Sequence, residues 1–421
     1  MTHIGLLCPT ASGHLNPMTT LGYELKQRGH RVTLIGTMDA QSKVLAAGLE
    51  FWAIGEIDFP AGSSAEVLSN LGKLSGLDAF RYTVGLFKRI TTTYLNEAPS
   101  AIKNAGIEAL LVDQASFGGS TIAELLDLPF VSVCCALMFN RDVNAPPFIT
   151  PWSYAPSWWG RLRNQLGYRL IDYLAKQVTG LINQYRQQNN LLPFKHPDDA
   201  YSQLAQICQQ PAEFEFPRES LPSCFHFTGP YSNPASREPA FFPFDKLTGQ
   251  PLIYASMGTV QNRLLEIFQT IAEACQDLDA QLVIALGGGS SPELLPNLAG
   301  SPLVVEFAPQ LDLLKRSALT ITHAGMNTTL ESLSNGVPMV AIPIANDQPG
   351  VASRIAWTGA GEVVPLKRLN VSRLRNTIVK VFTEDSYKNN ALRLQKSIQL
   401  AGGVKRAADI IEEVFQTGNP A

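Results

Sequence analysis

The stretch FAPQLDLLKRSALTITHAGMNTTLESLSNGVPMVAIPIANDQ, residues 307–348, decides the fold of this chain. An apolar run, Leu319–Thr322, predicts a buried strand, and a glycine-containing turn separates it from a helical pattern over Asn327–Ser334. A second strand-like run, Pro338–Ile342, follows at once. This order is typical of a parallel sheet covered by helices, because parallel strands need a crossover connection.

The junction between this strand and this helix is a candidate anion site. His323 follows the strand, Gly325 lies in the turn, and Asn327 and Thr328 open the helix. Free N–H groups and the positive end of the helix dipole attract phosphate at such a place. Glu331, one turn further, is placed to accept hydrogen bonds from ribose hydroxyls. Each residue alone is more often structural, so the ordered set carries the prediction.

Two further positions extend this candidate nucleotide site. Phe307 offers a flat ring on which a base could stack. Asp347 and Gln348 are adjacent polar residues after a break at Pro343, and they could bind sugar hydroxyls from the end of a strand.

The same alternation of strands and helices extends over both halves of the chain. Before the stretch, Leu252–Ser256 and Leu282–Leu286 predict strands. In the first half, strands are predicted at His3–Cys8, Arg31–Gly36, Ala109–Val112 and Phe130–Val133. The first of these precedes a predicted helix, Asn16–Arg28, with Asn16 as N-cap and Pro17 at the first helical position. The fold class is therefore α/β, with two doubly wound halves in tandem.

A proline-rich segment without periodicity separates the two halves. We predict an N-terminal domain over residues 1–216, an interdomain linker over 217–251 and a C-terminal domain over 252–421. The last predicted helix, Ala407–Phe415, could pack on either half.

Composition excludes several classes of protein. The chain has 421 residues, of which 16% are charged, a net charge of -3 and no basic cluster, so we expect no nucleic-acid partner. Its six cysteines form no C-x-x-C pair, which argues against a zinc site. No run approaches the ~18 apolar residues of a spanning helix, and no secretory signal precedes the first strand. We expect a cytoplasmic protein, with membrane contact at most peripheral.

One region departs from the alternating pattern. Residues 145–160, APPFITPWSYAPSWWG, are rich in proline and aromatic side chains, and a long helical pattern over 161–187 follows. Apolar residues recur there at a helical spacing, which favours a helix with one face in the core: Leu166, Leu170, Tyr173, Leu174, Val178, Leu181 and Ile182. A wall of an acceptor pocket, or a surface that touches a membrane, is the alternative interpretation.

Residues 307–348 resemble the nucleotide-sugar signature of the UDP-glycosyltransferase superfamily, which includes plant natural-product and bacterial antibiotic glycosyltransferases. The resemblance covers Phe307-Ala308-Pro309-Gln310, Thr322-His323-Ala324-Gly325-Met326-Asn327-Thr328, Glu331, Gly336-Val337-Pro338, Pro343 and Asp347-Gln348. It implies the GT-B fold, in which two Rossmann-like doubly wound domains face a central cleft.

The resemblance also implies a set of donor-binding residues. The turn Ser256-Met257-Gly258-Thr259 is similar to the family's Ser-x-Gly-Ser/Thr phosphate turn. Plant members usually carry Trp where this chain has Phe307 and Met326, so the chain is similar to the bacterial branch, and UDP against dTDP stays open. Gln348 is associated with glucose donors. The donor-binding residues so implied are Ser256, Gly258, Thr259, Phe307, Ala308, Gln310, His323, Gly325, Met326, Asn327, Thr328, Glu331, Asp347 and Gln348.

The resemblance further implies how the chemistry proceeds. The family's catalytic base lies in a Gly-His pair in the loop after the first strand, here Gly13-His14, and its partner acid matches Asp113 after Ala109–Val112. His14 would deprotonate an acceptor hydroxyl while Asp113 holds the imidazole tautomer, which gives inverting transfer. We expect no cofactor and no metal, and we interpret the one D-x-D triplet, residues 277–279, as a solvated helix end.

The acceptor is less constrained than the donor. Residues 346–357, NDQPGVASRIAW, resemble bacterial carotenoid (zeaxanthin-type) glucosyltransferases, which implies a lipophilic hydroxylated acceptor. Macrolide, polyketide, flavonoid and sterol acceptors stay open. A sugar-nucleotide 2-epimerase, a non-catalytic sugar-nucleotide-binding protein and a retaining transferase of the same fold are the alternative functions.

Overall fold

A computed structural model describes residues 1–72, 76–233, 240–259, 265–288 and 290–421, with side chains outside residues 68–80. Within these ranges the strands are β1 (His3–Leu7), β2 (Arg31–Gly36), β3 (Glu50–Ala53), β4 (Ala109–Asp113), β5 (Phe130–Cys134), β6 (Gln206–Cys208), β7 (Phe225–Phe227), β8 (Leu252–Ser256), β9 (Gln281–Ala285), β10 (Leu303–Val305), β11 (Ser317–Thr322), β12 (Met339–Ala341) and β13 (Gly361–Val363). The α-helices are α1 (Ser12–Gln27), α2 (Gln41–Ala46), α3 (Ser63–Gly72), α4 (Gly76–Ala105), α5 (Gly119–Leu125), α6 (Trp158–Gln188), α7 (Leu265–Cys275), α8 (Gln310–Leu314), α9 (Met326–Ser334), α10 (Gln348–Trp357), α11 (Val371–Thr383), α12 (Asp385–Ala401) and α13 (Gly403–Thr417).

The strands form two separate parallel sheets. Among the described residues, one sheet has the order β3-β2-β1-β4-β5-β6-β7 and the other β10-β9-β8-β11-β12-β13. The strand order reverses beside β1 in the first sheet and beside β8 in the second, and ligands bind near such points in open parallel sheets. The predicted α/β class with two doubly wound halves is confirmed.

Helix α1 begins earlier than the sequence predicts. It starts at Ser12, so Asn16 is not its N-cap and Pro17 lies inside it. Proline has no N–H, so the carbonyl of Gly13, one turn earlier, lacks the usual helical donor. The side-chain amide of Asn327 donates to that carbonyl at 3.1 Å instead. His14 therefore lies in the first helical turn rather than in a loop.

The segment predicted to be a linker contributes a strand to the first sheet. Within residues 217–251, β7 pairs in parallel with β6, as Gln206 pairs with Phe225 and Cys208 with Phe227. The first sheet therefore continues past residue 216, while the boundaries at 216 and 251 stay predictions.

The last helix returns to the first half of the chain. Ala407, Ile410, Ile411 and Val414 of α13 belong to the apolar core on the side of the first sheet that α1 covers. Arg28, at the end of α1, forms ion pairs with Asp409 and Glu412 of the same helix.

Helix α6 buries a different face from the one predicted. Gly160, Asn164, Gly167 and Tyr168 are its buried residues in the first half, whereas Leu166 and Leu170 are more than half exposed. Gly167 allows this packing, because a side chain there would collide with Pro147 and Trp152. The predicted core face is thus wrong for this half of the helix, whereas Val178 and Ile182 in the second half are buried as predicted. No helix in the described ranges is both long enough and apolar enough to cross a membrane.

Candidate active site

His14 and Asp113 form a hydrogen-bonded pair where two neighbouring strands of the first sheet end. His14 lies in the first turn of α1, the helix that follows β1, and Asp113 is the last residue of β4, which pairs with β1. Nδ1 of His14 lies 2.8 Å from Oδ2 of Asp113, and the other carboxylate oxygen accepts from the N–H of Ala115 at 2.8 Å. With Nδ1–H donated to Asp113, Nε2 of the imidazole is the nitrogen that can accept a proton.

The surroundings make this imidazole more basic than usual. Burial acts to lower the pKa of His14, but the charge and hydrogen bond of Asp113, together with the charge of Asp347, outweigh it and raise the pKa. Asp113 is 1% exposed and His14 19% exposed, so the pair is shielded yet reachable. The arrangement suits a general base.

The ring of His323 lies between two glycines of the second sheet's loops. A Cβ on Gly258 would lie 2.6 Å from the ring, and a Cβ on Gly325 would lie 2.4 Å from its Nε2. Any side chain at either position would displace the histidine. Gly258 also has a φ of +74°, which favours glycine. The Gly325 turn and the Ser256–Thr259 turn therefore form one cradle around this ring.

His323 is a neutral group in this cradle. Burial lowers the pKa of His323 to about 4, against the opposing effect of the Ser256 main chain. Its Nδ1 is buried and makes no ordinary hydrogen bond within the described residues. The imidazole lies beside the start of α9, so it can supply one more donor where that helix already presents free N–H groups.

Phe307 is half-exposed beside another glycine. Its ring packs on Gly288, where a Cβ would lie 2.3 Å from the Cζ atom of the phenylalanine. Ala308, next to it, packs against the core of the second half. The outer face of the Phe307 ring is thus available to a flat ligand such as a base.

Gln310 and Glu331 contact each other. The amide of Gln310 donates to Glu331 at 2.6 Å and lies 3.4 Å from the hydroxyl of Thr328, while Tyr254 donates to its oxygen at 3.0 Å. Glu331 is 3% exposed. A ribose that binds to Glu331 would therefore have to replace hydrogen bonds of an existing network, because this carboxylate already has a partner.

Met326 does not present its side chain to the site. The side chain is 5% exposed and packs in an apolar cluster with Ala324 and Leu330. Only its main chain, at the first position of α9, faces the candidate phosphate site. The predicted donor contact of Met326 is therefore limited to its N–H group.

Asp347 and Gln348 have partners before any sugar is present. Asp347 accepts from the N–H of Leu137 in the first half at 3.1 Å, and burial raises the pKa of Asp347. The side-chain oxygen of Gln348 accepts from the N–H groups of Ile344 and Ala345 at 2.8 and 2.9 Å. Gln348 thus shapes the loop that carries Asp347, a role that its sequence position did not indicate.

Asn327 joins the two halves of the chain. Besides donating to Gly13, it accepts at 3.0 Å from the amide of Gln209. Gln209 is buried directly after β6, and the sequence analysis missed it. Pro17 was a signal for the contact between Asn327 and Gly13 only, because it leaves the Gly13 carbonyl without its helical donor.

A buried ion pair, which was not predicted from the sequence, also joins the halves. Arg354 of α10 is 1% exposed, and its Nε and Nη2 atoms both donate to the carboxylate of Glu215, with Nε at 2.8 Å. Arg218 and Gln210 contact the same carboxylate. The available signal was a single arginine in the run GVASRIAW, which is otherwise uncharged.

The D-x-D triplet lies away from this site. Asp279 follows α7 and accepts from the side chain of Gln250 at 3.2 Å. Within the described residues no cluster of His, Cys, Asp and Glu has the geometry of a metal site. That the reaction needs no metal stays a prediction.

Known proteins resemble this chain over its whole length. The family model described as UDP-glucoronosyl and UDP-glucosyl transferase matches residues 84–400. The chain belongs to this family. The zeaxanthin glucosyltransferase of Pantoea ananas is 33% identical, with 100% of this chain and 97% of the relative covered. The enzyme of the same name from Pseudescherichia vulneris is 31% identical, with 99% and 98% covered.

Solved glycosyltransferases share the fold of this family member. A calicheamicin glycosyltransferase matches with a TM-score of 0.76 at 22% identity, covering 100% of both chains. The glycotransferase of kitacinnamycin matches with a TM-score of 0.76 at 21% identity, covering 98% of each. The GT-B fold implied by the sequence is confirmed, and the chain is a transferase of the UDP-glycosyltransferase family.

Proposed function

We propose that this protein is an inverting glycosyltransferase that moves glucose from UDP-glucose to a hydroxyl of a lipophilic small molecule. One observation carries the proposal: the 2.8 Å contact between His14 and Asp113 in the first half. The nucleotide-sugar signature in the second half is joined to it across the cleft, since Asn327 donates to Gly13, the residue before His14.

The proposed step is a single displacement. The acceptor oxygen attacks the anomeric carbon and forms the new C–O bond, and its proton passes to Nε2 of His14. The bond from that carbon to the phosphate oxygen breaks, and its electron pair leaves with UDP. Asp113 stabilises the imidazolium that forms, and the transition state is oxocarbenium-like by analogy with glycoside hydrolysis.

The second half stabilises the leaving group in this proposal. Free N–H groups at the start of α9, including that of Met326, face the diphosphate with the positive end of the helix dipole. Neutral His323 adds a hydrogen-bond donor, while Ser256, Gly258 and Thr259 form the opposite side of the cradle. No cofactor is required by this chemistry.

The remaining donor contacts follow the order of the signature. Phe307 stacks on the uracil, with Ala308 and Gln310 beside the nucleoside and Glu331 on the ribose. Asp347 binds sugar hydroxyls, and Gln348 holds the loop that positions it. The names of the two relatives at 33% and 31% identity favour glucose as the sugar and a hydroxylated carotenoid as the acceptor class.

A product analysis tests the proposal. Purified protein is incubated with UDP-glucose and a dihydroxylated carotenoid, and the anomeric proton of the product is examined by NMR. We expect a β-glucoside from the α-linked donor. An α-glucoside would identify a retaining enzyme, and release of an epimerised sugar without acceptor would identify the 2-epimerase alternative; either result overturns the proposal.

A further inference from the structure

The outer face of α6 carries a row of exposed apolar side chains. All are between 40% and 75% exposed, and we call them the α6 stripe: Trp158, Trp159, Leu162, Leu166, Leu170 and Tyr173. At 1.5 Å per residue the stripe is about 22 Å long. The two indoles at its start stack with ring centroids 3.7 Å apart. Monomeric soluble proteins rarely leave so continuous an apolar row uncovered.

Positive charge flanks the α6 stripe. Arg161, Arg169 and Lys176 are exposed on the same stretch and form no ion pair within the described part of the chain. The one acidic residue between 158 and 178, Asp172, is paired with Arg141. This local surplus stands out because the whole chain has a net charge of -3.

This combination fits an anionic bilayer better than a second copy of the chain. Lysine and arginine beside a face of tryptophan and leucine is the pattern of helices that lie in the plane of a membrane interface. Tryptophan and tyrosine at the two ends match the preference of their rings for the headgroup level. A two-fold dimer through the same face would instead bring the basic residues of one copy against those of the other.

The α6 stripe is connected to the cleft by the aromatic segment before it. The carbonyl of Phe148 packs against Gly350 at the start of α10, next to the loop of Asp347. Further along, Tyr154 stacks on Phe216 and contacts Trp357. Within four residues the chain reaches Trp158 and the stripe begins. An aromatic, proline-rich segment thus runs from the cleft to the exposed face.

We propose that the α6 stripe docks the protein on the surface of an anionic phospholipid bilayer. The apolar side chains enter the interface, and Arg161, Arg169 and Lys176 contact the phosphate headgroups. The protein binds peripherally and reversibly, because the stripe belongs to one helix face and the opposite face is packed on the protein. The inference concerns where the protein binds and does not rest on the identity of the transferred sugar or its acceptor.

Vesicle flotation tests this docking. The full chain is mixed with vesicles of phosphatidylcholine alone or of an equal mixture of phosphatidylcholine and phosphatidylglycerol. We expect flotation with the mixed vesicles, weaker flotation with phosphatidylcholine alone, and release as salt is added, because salt screens the headgroup contacts. Failure of the protein to float with the mixed vesicles overturns the proposal.

Two pairs of variants assign the binding to the α6 stripe. Leu166→Gln with Leu170→Gln should weaken binding by about tenfold or more, since two partly exposed leucines no longer enter the interface. Arg169→Gln with Lys176→Gln should lower binding to the mixed vesicles and leave phosphatidylcholine binding unchanged. Matched controls on α12, Leu400→Gln and Lys396→Gln, change an exposed leucine and an exposed lysine elsewhere and should bind as the wild type does.

Two measurements distinguish a loss of membrane docking from a loss of folding or of donor binding. Unfolding temperature and UDP binding by calorimetry should be unchanged in all these variants, because none of the residues belongs to the core or the cleft. Normal flotation of the double leucine variant would contradict the proposal. So would a wild-type dimer in sedimentation velocity that the same variant converts to monomer, because the stripe would then cover a second copy of the chain.

Discussion

The contact between His14 and Asp113 sets the pH range in which the proposed reaction can run. The general base must be neutral, and the pKa of His14 is raised above 6.5 because Asp113 and Asp347 outweigh burial. We therefore expect kcat/KM to fall as the pH drops through a value above 6.5, with a slope of one proton. A pH–rate profile measures this.

Asp113→Asn supplies the matched variant for that profile. Without the carboxylate charge the pKa of His14 should fall, so the acidic limb should move to lower pH. The plateau rate should also fall by about 10²–10⁴-fold, because the imidazolium loses its partner and the tautomer is no longer fixed. An acidic limb at the same pH in both proteins would show that another group titrates.

The cradle around His323 makes a second prediction at the same scale. In Gly325→Ala the new Cβ would lie 2.4 Å from Nε2 of His323, so the ring must move and the donor site is disturbed. We expect UDP affinity to fall by about tenfold, the effect of one charge-assisted hydrogen bond. Calorimetry measures it. Gly180→Ala, in an open position on α6, is the control and should bind UDP normally.

The order of residue types was sufficient to predict which residues lie together, but it did not predict the directions of their side chains. The signature pointed to His323 and Glu331, and the family resemblance of the first half pointed to His14 and Asp113, which the structure brings together. Met326 is buried, because the first turn of a helix must also contribute to the core. No local pattern shows which way a side chain at a helix start will point.

At the scale of elements, the buried pair of Glu215 and Arg354 attaches α10 to the first half. In Arg354→Met the carboxylate loses its bidentate partner while buried, so we expect the free energy of unfolding at pH 7 to fall by about 3–5 kcal/mol. Denaturant titration measures this. Arg31→Met removes one partner of an exposed pair with Glu50 and should cost less than about 1 kcal/mol.

The pair of Glu215 and Arg354 also predicts how the difference in the free energy of unfolding between wild type and Arg354→Met depends on pH. Burial would raise the pKa of Glu215, but Arg218 and Arg354 lower it to about 2. The stabilisation is complete above the unfolded pKa of about 4.3 and is lost as the pH falls toward 2. The difference in the free energy of unfolding between wild type and Arg354→Met should therefore become smaller as the pH falls over that range. A difference in unfolding free energy that does not change with pH would mean that Arg354 stabilises the protein by packing and not by its charge.

Elements were predicted well where periodicity alone decides them. The strand predicted at Arg31–Gly36 and the one at Leu252–Ser256 have the bounds observed. The predicted start of α1 was wrong because proline is usually found in the first turn of a helix. Here Pro17 lies inside the helix, and the distant side chain of Asn327 donates to the carbonyl that Pro17 leaves without a partner. The buried face predicted for the first half of α6 was wrong, because Gly160 and Gly167, and not the leucines, lie on the side that packs.

At the scale of the whole molecule, the chain enters the second half and then returns to the first. Ile411 of α13 is fully buried in the core beside α1. Ile411→Ala should lower the free energy of unfolding by about 2–5 kcal/mol by leaving a cavity. Denaturant titration checks it, with Leu400→Ala, 79% exposed on α12, as a control expected within about 0.5 kcal/mol of the wild type. An equal effect in both would mean that α13 does not hold the first half together.

In the proposed mechanism, proton transfer takes place in the first half of the molecule and donor binding in the second. His14→Ala tests it most directly, by the rate of glucose transfer and by UDP calorimetry on the same preparation. We predict a rate lower by about 10³-fold, the usual contribution of a general base, with UDP affinity within about twofold of the wild type. Transfer at an undiminished rate would contradict the account, as would loss of UDP binding together with the rate.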